Sequence, residues 1–83
     1  MTSGYRPVLY HSRLSAPCAR VRRELLSLDV EFDERHVLLS RRNRDELRRM
    51  AGQVKVPCLV IGETVVQGPD EIIKYLRLRY GDR

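Results

Sequence analysis

The chain has 83 residues, 42% of them hydrophobic, and a formal net charge of +5. That length suits one domain with one small core and a thin margin of stability. No apolar run is long enough to span a bilayer and the N-terminus lacks a signal-peptide pattern, so we expect a cytoplasmic protein with no membrane partner.

The positive charge is almost all arginine, with Lys55 and Lys74 the only lysines, and it is densest at Arg41, Arg42, Arg44, Arg48 and Arg49. Asp45 and Glu46 interrupt this cluster and no aromatic residues interleave with it, which points to a solvated helix face and away from a nucleic-acid surface. The two cysteines, Cys18 and Cys58, are too few and too far apart for a disulfide framework. With His11 and His36 as the only histidines, no closely grouped set of four zinc ligands stands out, and we expect no metal site.

Residues 1–6 read as a loose end. Val8, Leu9 and Tyr10 form a short apolar run, consistent with a buried strand. His11 to Leu14 read as a loop. Ser15 is a good helix N-cap and Pro17 fits a first helical turn. Cys18, Val21, Leu25 and Leu28 then recur at helical spacing, while Arg20, Arg22, Arg23 and Glu24 fill the opposite face. Val30 and Phe32 alternate with Glu31 and Asp33 as in a strand, and His36 to Leu39 extend it or lead out of it. Ser40 or Asn43 caps a second helix with Leu47, Met50 and Ala51 inward and Gly52 as its stop. Val56 to Ile61, the turn Gly62-Glu63 and Thr64 to Val66 read as a β-hairpin. Gly68-Pro69-Asp70 opens a third helix with Ile72, Ile73, Leu76 and Tyr80 on its inner face. No linker or repeat interrupts this order, so residues 1–83 read as a single domain. The order β-α-β-α-β-β-α predicts an α/β fold, a mixed four-stranded sheet with helices on both faces.

Three stretches carry a family resemblance. They are L-Y-H-S-R-L-S-A-P-C-A-R-V-R, A-G-Q-V-K-V-P-C-L-V-I-G and V-V-Q-G-P-D-E-I, in that order. Together they resemble the glutaredoxin family and, with it, the N-terminal domain of glutathione transferases. The resemblance covers about residues 7–80 and implies the thioredoxin fold. A transferase would continue into a second, all-helical domain.

In glutaredoxins the reactive thiol is the first cysteine of C-x-x-C, at a helix N-terminus where the dipole and free amides favour a thiolate. Ser15 occupies that position here, and Cys18 matches the second cysteine. The resemblance therefore implies a glutaredoxin-like, glutathione-linked protein with an atypical S-x-x-C site, acting through the single thiol of Cys18 with Ser15 beside it. Glutathione or a thiol/disulfide protein is the implied partner, with glutathione as co-substrate and no bound cofactor. Two alternatives stand beside it. One is a module that binds a thiol peptide or protein without chemistry. The other is a serine-type transferase domain in which the Ser15 hydroxyl stabilises the glutathione thiolate. Helix capping by Ser15 and core packing by Cys18 account for both residues without any chemistry.

The same resemblance supplies a binding half. Val56-Pro57 matches the pair whose peptide bond is cis in this fold, and the backbone before it can pair with an extended peptide. Asp70 matches the residue that holds the γ-glutamyl amino group of glutathione. Pro69 departs from the pattern, because it replaces a residue whose N–H helps hold the γ-glutamyl carboxylate. Arg13, in the loop before Ser15, is a candidate partner for a carboxylate of a bound peptide.

Overall fold

The computed structural model describes residues 6–81. Most of the expected loose end, residues 1–5, lies outside that range, and Arg6 pairs with Asp33 at 3.1 Å. The elements follow the expected order: β1 (Val8–His11), α1 (Ala16–Ser27), β2 (Asp33–His36), α2 (Arg41–Ala51), β3 (Cys58–Ile61), β4 (Thr64–Gln67) and α3 (Pro69–Tyr80). The strands lie in the order β2-β1-β3-β4. β1 runs parallel to β2 and antiparallel to β3, and β3 runs antiparallel to β4. This is the thioredoxin-like fold, with helices on both faces of a mixed sheet.

Side-chain alternation along β1 divides the core between those faces. Leu9 points to one side and packs with Val21 and Leu25 of α1, Leu59 and Ile61 of β3, and Ile72, Ile73 and Leu76 of α3. Tyr10 points to the other and packs with Val37, Leu47 of α2, Cys58 and Val60. The Tyr10 hydroxyl donates to Glu46 Oε1 at 3.1 Å, which ties β1 to α2. Burial and that acceptor push the Tyr10 phenol up to about 12.

Several details differ from the sequence reading. β1 runs on to His11, which that reading assigns to the loop. β3 starts at Cys58 and not at Val56, because the cis Val56–Pro57 segment lies before the ladder. The second strand is Asp33–His36, later than the alternation around Val30 and Phe32 indicates. Val30 and Phe32 do pack on the core, but from the approach to the strand; the ladder begins where Asp33 donates to Pro7 O at 2.9 Å. An edge strand half open to solvent accommodates the polar run Asp-Glu-Arg-His. In α2 only Leu47 is fully inward, and Met50 is exposed because it lies off the narrow stripe that meets the sheet. Ser40 caps α2 by accepting from the Asn43 N–H at 3.1 Å, while the Asn43 side-chain amide donates to His36 O at 2.9 Å. Gly62 opens the β3–β4 turn at φ +61°, a left-handed backbone that a side chain disfavours.

Candidate functional site

Register places the candidate residues. Tyr10 pairs with Cys58, and Cys58 pairs with Gln67. The loop after β1, the segment before β3 and the chain leaving β4 therefore emerge at one end of the sheet. Residues 12–15, 56–57 and 68–70 belong to those three segments, so separated parts of the sequence arrive as neighbours.

Ser15 is the N-cap of α1, in extended conformation, and its Oγ accepts from the Cys18 N–H at 3.3 Å. Its side chain is half-buried at the rim. A hydroxyl has one proton to donate and two lone pairs. The cap uses a lone pair and leaves the proton for another acceptor. Pro17 sits in the first turn, where a missing N–H costs no helical bond. The N-terminal amides and dipole of α1 favour an anion at this rim.

Cys18 lies one turn further in and is fully buried. The Ser12 N–H points at its Sγ at 3.5 Å, so the sulfur packs beneath the loop. Cys58 is also fully buried, in the α2-side cluster, and burial pushes its thiol up to about 11. Both cysteines are free. Neither sulfur reaches the rim that Ser15 occupies.

The Val56–Pro57 peptide bond is cis, with Pro57 buried and Val56 half-buried. Gly68 donates its N–H to Pro57 O at 3.1 Å, which binds the start of α3 to this segment. Gly68 does so at φ +95°, a conformation that side chains disfavour. Pro69 is the first residue of α3, so the first helical amide available there belongs to Asp70. Asp70 is exposed and accepts from Arg20 Nη2 at 3.2 Å across the α1–α3 interface. That bridge and the Gly68–Pro57 bond were not legible in the sequence, since each joins residues distant along the chain.

Arg13 is exposed and lines a cleft of about 560 Å³ with His11, Ser12, Ala19, Arg22, Glu34 and His36, a set that includes neither Pro57 nor Asp70. In it, Glu34 Oε1 lies 3.1 Å from His11 Nε2 and 3.9 Å from His36 Nε2. Arg22 Nε donates to the other carboxylate oxygen, Oε2, at 3.1 Å. Burial first, and then the neighbouring His36, hold the His11 imidazole below its ordinary value, although Glu34 pulls it upward. The wide spacing of the histidines hid this cluster from the sequence reading. The one legible signal is Glu34-x-His36, two polar side chains on one face of an edge strand.

Comparison with known proteins extends this picture. A search of curated proteins found no match. Solved structures do match. A glutathione transferase homolog from Drosophila mojavensis, crystallised with bound glutathione, is 28% identical, with a TM-score of 0.82 over 94% of this chain and 36% of that one. A glutathione S-transferase from the Antarctic clam Laternula elliptica is 25% identical, with a TM-score of 0.80 over 93% of this chain and 36% of that one. An epsilon-class glutathione S-transferase from the housefly Musca domestica is 25% identical, with a TM-score of 0.81 over 94% of this chain and 37% of that one. The chain thus spans about a third of the length of these relatives. The sequence profile of the glutathione S-transferase N-terminal domain matches residues 9–83, and the chain belongs to that glutathione-linked, thioredoxin-fold family.

Proposed function

We propose that this domain binds glutathione at the sheet end built from Ser15, the Val56–Pro57 segment and the start of α3, and that the Ser15 hydroxyl donates a hydrogen bond to the glutathione sulfur and stabilises its thiolate. The observation that carries this reading is the division of labour at the start of α1. Ser15 is at the rim with an uncommitted proton, and both thiols are buried. Thiol–disulfide exchange through Cys18 needs a sulfur that a disulfide can reach. In this reading Cys18 instead supports the Ser12 loop. The Val56 backbone pairs with the peptide, and the Asp70 carboxylate takes the ligand's amino group, sharing its charge with Arg20. The glutathione bound in the Drosophila mojavensis homolog supports this class of ligand.

Pro69 limits the affinity. A hydrogen bond to a charged group is worth about 1.5–3 kcal/mol, so one lost donor lowers affinity by about one to two decades. The proposal covers binding and activation of the thiol. A second substrate, and the partner domain that would hold it, lie outside it. The unbroken family match over residues 9–83 supports one domain spanning residues 1–83, and two free cysteines with a glutathione link support a reducing compartment, the cytoplasm.

Titration of the isotope-labelled chain with glutathione tests this directly. Weak, saturable amide shifts at Ser15, Val56 and Asp70 are expected. The ultraviolet absorbance of the bound thiolate should give a thiol pKa below that of free glutathione, and Ser15→Ala should return it toward the free value while the domain stays folded. Absence of shifts at those residues overturns the reading. Shifts with an unchanged thiol pKa favour the binding module without chemistry. Exchange activity that survives Ser15→Ala and is lost in Cys18→Ser returns the chemistry to the single thiol.

A further inference from the structure

We propose that His11, Glu34 and His36 bind a divalent first-row transition ion, zinc being the natural probe, in the cleft between α1 and the edge strand β2. The parallel register creates the site. Leu9 pairs with Glu34 and His11 with His36, so alternation turns Glu34, His11 and His36 to the same side of the sheet, toward α1. The two imidazole rings stand 4.4 Å apart between centroids, tilted by 51°. Each of the three side chains offers one ligand atom, and these atoms lie within 4.8 Å of one another. Donors bound at about 2.0–2.2 Å in a tetrahedron sit roughly 3.3 Å apart. The His11–Glu34 pair is already near that spacing at 3.1 Å, and the half-exposed His36 has room to close the remainder.

Two further observations point to a ligand. Glu34 divides its oxygens: Arg22 holds Oε2, and Oε1 faces both histidines. A carboxylate oriented from outside, with one oxygen left toward two imidazoles, is how outer groups commonly position metal ligands. Among the described residues, His36 Nδ1 is buried with no hydrogen-bond partner. Nδ1 is the ring nitrogen opposite Nε2, which is the one that faces Glu34, so the His36 ring can turn toward Glu34 without breaking a hydrogen bond at Nδ1.

The donor set selects the class of ion. Two imidazoles and one carboxylate suit zinc and its neighbours, whereas calcium and magnesium require mostly oxygen ligands. Three protein ligands leave a position open, and it faces the cleft. Arg13 and Arg22 on its wall oppose the cation and make an anion the natural occupant of that position. The site shares no ligand with the glutathione reading, so either can fail without the other.

The test uses the untagged chain in buffer free of phosphate. Calorimetric titration with zinc should show one ion per chain, and cobalt should give the visible absorption of a low-coordinate nitrogen and oxygen site. Imidazole nitrogen resonances of His11 and His36 should both shift on adding zinc, which needs no substitution. His36→Ala and Glu34→Gln, with folding checked by circular dichroism, should each weaken binding by at least about tenfold, the size of effect common around metal sites. His11 is buried, so its replacement is a poorer probe. Lack of stoichiometric uptake, imidazole shifts at neither histidine, or unchanged affinity in both variants overturns the proposal and leaves a hydrogen-bonded cluster only.

Discussion

At the residue scale, a helix cap and a thiol site compete for the same position. Ser15 satisfies a first-turn amide of α1, and any side chain placed there sits at the positive end of the helix. Cysteine at that place meets the same field from the rim. Ser15→Cys should therefore produce one fast-reacting thiol per chain toward an aromatic disulfide reagent at neutral pH, with a pKa below the free value. The parent chain, with Cys18 and Cys58 fully buried, should react only as it unfolds. Stopped-flow thiol titration of both proteins checks this. Rapid native reaction in the parent, or a sluggish thiol in the Ser15→Cys variant, would show that the rim is not where the register puts it. The helical face of Cys18 was legible from its spacing to Val21 and Leu25, whereas the depth of its sulfur depended on the Ser12 loop closing over it.

At the element scale, α1 and α3 are joined above their shared apolar seam by charge. Arg77 donates to Glu24 through Nε at 2.8 Å and through Nη2 at 3.2 Å. That guanidinium holds the Glu24 carboxyl below its ordinary value of 4.5. A carboxyl with a depressed folded-state pKa contributes stability that is present above its unfolded value and is lost as pH falls through the folded one. The contribution is small, because Arg77 is mostly exposed and solvent screens the pair. Urea midpoints measured from pH 7 down to pH 3 should fall less steeply in Glu24→Gln than in the parent, the two curves lying apart at pH 7 and converging below about pH 4.5. Parallel curves would remove the pair from any account of acid stability. The pair joins residues 53 apart in sequence, and neither helix alone indicates it.

At the scale of the molecule, a thin two-sided core makes position outweigh residue type. Leu9 is fully buried at the centre of the α1–α3 side, whereas Leu14 is 86% exposed in the loop before Ser15. Leu9→Ala should cost about 2–5 kcal/mol from lost burial and the cavity left behind. Set against a total of about 5–15 kcal/mol for a typical domain, that removes a large share of the stability of so small a chain. Leu14→Ala should change stability by no more than about 0.5 kcal/mol. Chemical denaturation of both variants checks the pair. Comparable losses would mean that Leu14 is covered by something the isolated domain brings against it, such as a second chain.

The amino-acid order by itself determined the succession of elements and their inward faces. Periodicity, caps and turn residues act over a few positions, as with Ser15, Ser40, Gly62 and the stripe Val21–Leu25, and local chemistry of that range is written in the chain. The three family motifs likewise carried the fold, because each is contiguous. What only the tertiary structure decided were the meetings of distant residues: Gly68 with Pro57, Arg20 with Asp70, and His11 with Glu34 and His36. These depend on strand order and register, which the whole sheet sets at once. A shift of one residue in the β1–β2 pairing would turn Glu34 and His36 to the opposite face from His11 and dissolve the cluster. Residue identity therefore supplied the ligands and the hydroxyl, and register decided which of them stand together.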